Sequence, residues 1–251
     1  MNNWQETLFF PVRDAEARKQ FLIACLVVLA GFIIPLIPSI LLIGYSVRIM
    51  RQIIDERKSP SMPEWQGSNW FEMLMDGLRV FGIQIVLTLP LLIIMGCGFL
   101  FMIGGSIGFP AFTNEHNSSL ASVSLIFLFI GIGLTTLFAA LSFPYGIIIS
   151  AAIPHAVANN SFAAGFNFKE WLPIFRKGLG NFILAYIFLM IISFVFIFVI
   201  QFALITLILM CIVPFLMIPY SAYVAIVTNT IYSQAYVAGR DALLTESNAT
   251  A

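Results

Sequence analysis

All twelve Lys and Arg residues of the chain fall in four clusters that are separated by long stretches without any charge. The clusters lie at 13–19, 48–79, 169–177 and Arg240, and the charge-free stretches are 20–47, 80–114, 116–168 and 178–239. A helix that crosses a bilayer needs about 20 apolar residues, so every stretch is long enough for at least one crossing. Because basic residues collect on the cytoplasmic side of membrane helices, we predict a polytopic protein whose four clusters all face the cytoplasm.

The composition excludes a soluble globular domain. Hydrophobic residues make up 60% of the chain and charged residues only 10%, with a mean hydropathy of +0.98. Soluble domains carry roughly 25% charged residues and need them to cover their surface. The formal net charge is zero, so no overall field favours nucleic acid. The partner that the composition predicts is the lipid bilayer.

The first apolar stretch, 20–47, holds either one crossing or two helices that turn at Pro35 and Pro38. A single crossing would place the first two basic clusters on opposite sides of the membrane, whereas a hairpin returns both to the cytoplasm. We therefore predict a hairpin with helices at 16–34 and 37–57. A re-entrant hairpin satisfies the charge rule equally well, provided that its backbone is buried in protein.

The predicted fold is all-α: one polytopic domain over 1–251 with about six transmembrane helices. The first hairpin supplies two helices, 80–114 and 116–168 supply one each, and 178–239 supplies two. This even number places both termini in the cytoplasm. The expected location is the cytoplasmic (inner) cell membrane, with multiple crossings.

An internal repeat relates two amphipathic segments at one constant offset. Trp70 pairs with Trp171, and Gly77 pairs with Gly178. We predict that both segments are elbow helices on the cytoplasmic leaflet, with Trp65, Trp70 and Trp171 as interfacial anchors. The alternative is that the elbows pack against the helix bundle and have no separate lipid role. Repeat-like units then cover about 16–80, 118–179 and 180–240.

Polar side chains within the apolar stretches are amides and hydroxyls, and no charged residue lies securely inside a crossing. This argues against a carboxylate relay of the kind used in proton-coupled transport. The last crossing is the most polar and is the first choice for a lining helix, although interhelical packing explains the same residues. The predicted lining or packing residues are Gln201, Ser221, Thr228, Asn229 and Gln234.

Basic residues next to the crossings predict either a cytoplasmic layer of ion pairs or a site for lipid phosphates. Snorkelling side chains at solvated helix ends are the alternative explanation. The residues are Arg48, Arg51, Arg79, Arg176 and Lys177.

Catalytic, cofactor and metal motifs are missing from the sequence. The three cysteines lie singly in apolar stretches, and neither His116 nor His155 has a partner at ligand or triad spacing. The sequence contains no nucleophile elbow, phosphate loop or zinc-binding helix motif. We expect neither an enzyme nor a cofactor or metal site.

Several motifs resemble one prokaryotic membrane family, which is known only as domain of unknown function four-thousand-thirteen. The matching residues are a Gly-Tyr-x-x-Arg motif from Gly44 to Arg48, a Pro-x-Trp motif at Pro63, and the elbow that begins at Trp70. A lead-in at 10–14 and the segment 162–168 with the Trp171 elbow are also similar. The resemblance implies an integral membrane protein of bacteria or archaea and brings no known activity or catalytic residue.

Two functions follow from these features. The first is an accessory or structural membrane protein that binds another membrane protein, a second copy of itself or lipid. The second is a small transporter or channel subunit, lined by the polar last crossing and by helices that contain proline.

Overall fold

The computed structural model describes residues 4–65, 69–107, 118–205 and 211–250. Within these ranges the chain is almost entirely helical and contains no strand, which confirms the predicted all-helical fold. We number the helices α1 to α9 in chain order. They are α1 Trp4–Phe9, α2 Ala15–Ala30, α3 Ile37–Ile54, α4 Trp70–Ile107, α5 Ser118–Ile149, α6 Ala152–Ala158, α7 Phe168–Lys177, α8 Leu179–Ile205 and α9 Val213–Thr250.

The chain forms two compact units, of which the larger combines Met1–Ile83 with Ser150–Ala251. Helix α9 is the centre of the larger unit and contacts α2, α3, α7 and α8. Its buried face carries Ile226 and Ile231, which pack with Tyr45 and Ile49 of α3 in one hydrophobic core. The short helix α1 and a 3-10 turn at Phe10–Val12 close this core at the N-terminal end of the chain.

Five helices in the described part of the chain are long and apolar enough to cross a membrane. By length and composition, they are the helices of a multi-pass membrane protein. The segments are Ile37–Ile54, Trp70–Ser106, Ser122–Ala158, Leu179–Ile205 and Val213–Ala249. The sixth predicted crossing depends on α2, which has 16 residues. A transmembrane helix needs about 17–25 residues, so α2 falls just below this range and α3, with 18 residues, just within it.

Helices α2 and α3 are neighbours joined by a short turn, as the first hairpin requires. Asp14 caps α2, because its Oδ1 atom accepts a hydrogen bond from the backbone N–H of Ala17 at 2.7 Å. The turn contains Leu36 at φ 75°, a left-handed conformation that is costly for a side chain with a Cβ atom. Pro38 then sits in the first turn of α3, where its missing N–H does no harm.

The two predicted elbows differ in how they join the next helix. The first is continuous with α4, which runs for 38 residues from Trp70 to Ile107. The second is α7, which ends at Lys177 and is separated from α8 by Gly178. In α7, Trp171, Ile174 and Phe175 are buried, whereas the charged residues are exposed.

The smaller unit, Gln84–Ile149, is a hairpin formed by the second part of α4 and by α5. Its helices approach closely at Gly105, where a Cβ atom would lie 2.8 Å from the backbone nitrogen of Leu128. The hydroxyl of Tyr145 donates a hydrogen bond to the carbonyl of Leu87 at 2.5 Å. His116 lies outside the described residues.

Candidate polar helix crossings and an apolar groove

Helices α3 and α4 cross at two glycines. A Cβ atom on Gly44 would lie 1.8 Å from the carbonyl oxygen of Met73, and one on Gly77 would lie 1.9 Å from that of Ile40. Real Cβ atoms do not approach backbone oxygens so closely. The first part of α4 therefore rests directly on the backbone of α3, and this contact requires glycine on both helices.

An ion pair lies beside this crossing. Arg51 of α3 binds Asp76 of α4 with two hydrogen bonds, of 2.6 and 2.9 Å. The Asp76 side chain is only 9% exposed, and a second cation, Arg79, lies 3.5 Å from it. Both arginines also donate hydrogen bonds to the side-chain oxygen of Asn160. The carboxylate is thus fully engaged by two guanidinium groups, and charge-assisted pairs of this geometry are strong.

A second crossing joins α7 to α9. A Cβ atom on Gly239 would lie 2.4 Å from the carbonyl oxygen of Ile174, and one on Gly178 would lie 3.0 Å from the Cα atom of Gly239. Lys177 forms an ion pair of 2.5 Å with Glu246 beside this contact. The arrangement resembles the first crossing, in which α4 carries the acidic residue and α3 the basic one. In the second crossing α7 carries the basic residue and α9 the acidic one.

The two crossings correspond residue by residue at two constant offsets. Corresponding residues of α4 and α7 differ by 101 in sequence number, and corresponding residues of α3 and α9 differ by 195. The corresponding pairs are Gly77 with Gly178, Asp76 with Lys177, Gly44 with Gly239 and Arg51 with Glu246. The sequence comparison detects only the first offset, because α3 and α9 share little beyond the glycine.

A buried histidine joins α6, α7 and α9. The His155 side chain is 6% exposed, and its Nδ1 atom lies 2.9 Å from the hydroxyl of Tyr236. Its Nε2 atom lies 3.1 Å from Glu170 Oε2 and 3.2 Å from the side-chain nitrogen of Asn159. The sequence did not reveal this cluster, because Tyr236 is 81 residues away from the histidine.

An apolar groove of about 670 Å³ lies between α2, α3 and the start of α4. Helix α2 lines it with Ile23 and Leu26, α3 with Ile37 and Leu41, and α4 with Phe71 and Leu74. Volumes of roughly 300–1,000 Å³ are typical of sites for small molecules. A second cavity, of about 350 Å³, lies between α8 and α9, with Ser193 and Thr228 among its lining residues.

A family model described as "Protein of unknown function (DUF4013)" matches residues 26–205. The chain belongs to this family. The match includes α3, α4 and α7, and therefore the first crossing in full, whereas α9 lies beyond it. The DUF4013 assignment confirms the resemblance found in the sequence. No curated protein and no solved structure matches the chain.

The three predicted tryptophan anchors of this DUF4013 protein have different environments. Trp70 is 47% exposed, whereas Trp171 is fully buried and donates its indole N–H to the carbonyl of Gly165 at 3.2 Å. Trp65 stacks on Tyr45 with ring centroids 4.2 Å apart. The buried position of Trp171 is what the packed alternative expects, and an interfacial role of these residues stays a prediction.

The polar residues predicted to line the last membrane-spanning helix bond mainly to their own helix. Ser221 donates to the carbonyl of Met217 at 2.7 Å, and Asn229 donates to that of Ala225 at 2.9 Å. Gln234 instead exchanges hydrogen bonds with Thr7 at 3.1–3.2 Å. Thr228 lines the second cavity, and Gln201 is exposed on α8.

The structure brings some of the predicted basic residues together but not all five. Arg51 and Arg79 share Asp76, whereas Arg48 lies 4.0 Å from the exposed Glu72. Lys177 belongs to the second crossing, and Arg176 is exposed on α7. The sequence did not single out Asn160 or Gly239, because no local pattern marks a residue whose partner is far away in the chain.

Proposed function

We propose that this DUF4013 protein is an accessory or structural membrane protein, which uses its apolar surfaces to bind another membrane protein, a second copy or lipid. The observation that carries the proposal is the internal bonding of the polar groups in α9. Asn229 and Ser221 bond to carbonyls of their own helix, and Gln234 bonds to Thr7. The bonds of Asn229 and Ser221 satisfy these side chains without water, and the bond of Gln234 joins α9 to α1, as packing expects.

We further propose that α2 and α3 form a re-entrant hairpin and that four helices cross the inner cell membrane. The shortness of α2 supports this arrangement, and so does the tip of the hairpin, where Phe32 and Ile33 are 66% and 83% exposed. An exposed apolar tip without charge suits hydrocarbon better than water. With four crossings, both termini and all four basic clusters lie in the cytoplasm.

The internal repeat is also part of the proposal. Its support is the pair of glycine crossings, each with an ion pair at the same relative positions. A duplicated crossing gives two elbows that hold α3 and α9 in the same way. Such a scaffold positions helices without requiring a catalytic group.

A transporter or channel subunit is the second candidate. The observation in its favour is the cavity between α8 and α9, because four of its lining residues carry hydroxyls: Tyr186, Ser193, Thr228 and Tyr232. Polar groups at such a position are the usual components of a substrate path.

Substitution of Asn229 and Gln201 by Leu separates the two candidates. An accessory protein loses thermal stability or a co-purified partner in the Asn229→Leu variant, because the substitution removes the hydrogen bond from Asn229 to the carbonyl of Ala225. A transporter loses flux in proteoliposomes and keeps its stability. Purification from the native membrane in mild detergent, followed by mass spectrometry, identifies the partner. A clean homo-oligomer with Asn229-dependent flux would contradict the accessory role.

A further inference from the structure

The groove between α2, α3 and α4 has a polar end. On α2, Ile23 and Leu26 line the groove, and Lys19 lies four residues before Ile23 on the same helical face. On α3, Arg48 follows the groove residue Leu41 by seven residues and therefore also lies on the groove face. Because the turn at 31–36 joins these neighbouring helices at the other end, both bases lie at the end away from the turn.

Two carboxylates accompany the two bases. Lys19 Nζ lies 3.6 Å from Glu16, and Arg48 lies 4.0 Å from Glu72. Both contacts are longer than a hydrogen bond. The side chains of Lys19, Glu16 and Glu72 are 68%, 54% and 67% exposed, whereas that of Arg48 is 19% exposed. Loose pairs with an exposed carboxylate contribute little and are easily rearranged. They contrast with the tight Arg51–Asp76 pair, in which both carboxylate oxygens are already hydrogen-bonded.

The rest of the groove carries apolar side chains. Leu26 is 62% exposed, and Phe71 is 75% exposed. The hairpin tip next to the groove exposes Ile34 and Ile37 as well. In a membrane protein, an apolar groove that ends in charges of both signs is complementary to an apolar chain attached to a headgroup with a phosphate and an amine.

We infer that the groove binds one phospholipid with a zwitterionic phosphate–amine headgroup. One acyl chain lies along Leu26, Leu41 and Phe71. The phosphate lies between Lys19 and Arg48, and the amine faces Glu72. The inference rests on the proposed membrane arrangement, and it names a lipid class and a site where the proposed function names neither.

The test compares two leucines of α2 that differ in direction but not in exposure. Leu26 lines the groove and is 62% exposed, whereas Leu22 does not line it and is 63% exposed. The full-length Leu26→Trp and Leu22→Trp variants are purified from membranes in mild detergent, and native mass spectrometry measures the phospholipid that each retains. We expect Leu26→Trp to lose the bound lipid and Leu22→Trp to keep it. Equal retention, or equal loss, overturns the site.

The headgroup is tested with Lys19→Gln and with Arg18→Gln as its control, because Arg18 is the neighbouring base on another face of α2. Wild-type protein in vesicles is labelled with phosphatidylethanolamine and phosphatidylglycerol probes that carry a photoreactive acyl chain. We expect stronger labelling of α2, α3 and the start of α4 by the ethanolamine probe. Labelling by both probes should fall in Lys19→Gln, because both lipids carry the phosphate that Lys19 contacts, and it should persist in Arg18→Gln.

Equal labelling by the two probes overturns the zwitterionic headgroup. Labelling that is absent from α2 overturns the groove as the site, and it does so on wild-type protein, even if the tryptophan variant does not fold. A dimer that dissociates in Leu26→Trp shows that a second copy fills the groove and also overturns the inference. Flux that depends on Asn229 would contradict the accessory role but leave the lipid site intact.

Discussion

At the scale of single residues, the glycines at the helix crossings are the positions where a side chain fits least. An Ala at 77 would place its Cβ atom 1.9 Å from the carbonyl oxygen of Ile40, so the backbones of α3 and α4 must separate. Overpacking of this kind costs about 1–3 kcal/mol. We expect Gly77→Ala to lower the free energy of unfolding by that amount, measured by thermal denaturation in detergent.

The matched control is Gly180→Ala, because nothing lies within 4 Å of a Cβ atom at this position in α8. Removal of a helical glycine gains up to about 1 kcal/mol, so this variant should be neutral or slightly more stable. Gly178→Ala should fall between the two, since its nearest backbone atom is 3.0 Å away. A Gly77→Ala variant as stable as Gly180→Ala would show that the crossing tolerates a side chain.

Asp76 is the second residue whose role can be measured. Asp76→Asn removes the charge that Arg51 and Arg79 share, and hydrogen bonds to charged groups contribute about 1.5–3 kcal/mol. We expect a loss of roughly 2 kcal/mol in unfolding free energy because the carboxylate is nearly buried. Glu72→Gln is the control, since Glu72 is 67% exposed and 4.0 Å from Arg48. Equal effects of the two substitutions would argue against a special role for the inner pair.

At the scale of helices, the sequence predicts elements better than it predicts what faces them. The constant offset between Gly77 and Gly178 predicts both elbows, because it depends only on local pattern. Trp70 and Trp171 occupy the same place in that predicted repeat, yet only Trp171 is covered, by the turn that carries Gly165. His155 shows the same limit, since its partners come from α7 and α9. Burial depends on contacts between distant segments, which one sequence does not encode locally.

The re-entrant hairpin gives a prediction about α2 and α3 as elements. In a background whose three cysteines are replaced by Ala, Ile33→Cys places a thiol at the exposed tip. Since a re-entrant tip lies in hydrocarbon, we expect no reaction with a membrane-impermeant maleimide from either side of the membrane. Ser59→Cys, in the loop after α3, should react only from the cytoplasmic side. Labelling of Ile33→Cys from outside would mean that the hairpin crosses completely.

At the scale of the whole molecule, experiment can tell whether the chain crosses the membrane an odd or an even number of times. Five helices are long and apolar enough to cross, and five independent crossings would place the termini on opposite sides of the membrane. Four crossings with a re-entrant hairpin, or six crossings, leave both termini in the cytoplasm with all twelve bases. The charge distribution favours the even numbers, because cytoplasmic segments retain Lys and Arg.

Reporter fusions at two points show on which side of the membrane each point lies, and therefore whether the number of membrane crossings is odd or even. We expect a reporter fused after Lys58 and another fused after Ala251 to give cytoplasmic signals. An external signal after Ala251 alone would indicate an odd number of crossings beyond Lys58. An external signal at both points would indicate that α3 crosses by itself and that the first two basic clusters face opposite sides. Two cytoplasmic signals, together with an unreactive thiol at Ile33, leave four crossings and a re-entrant hairpin as the arrangement that satisfies the charges, the length of α2 and its apolar tip.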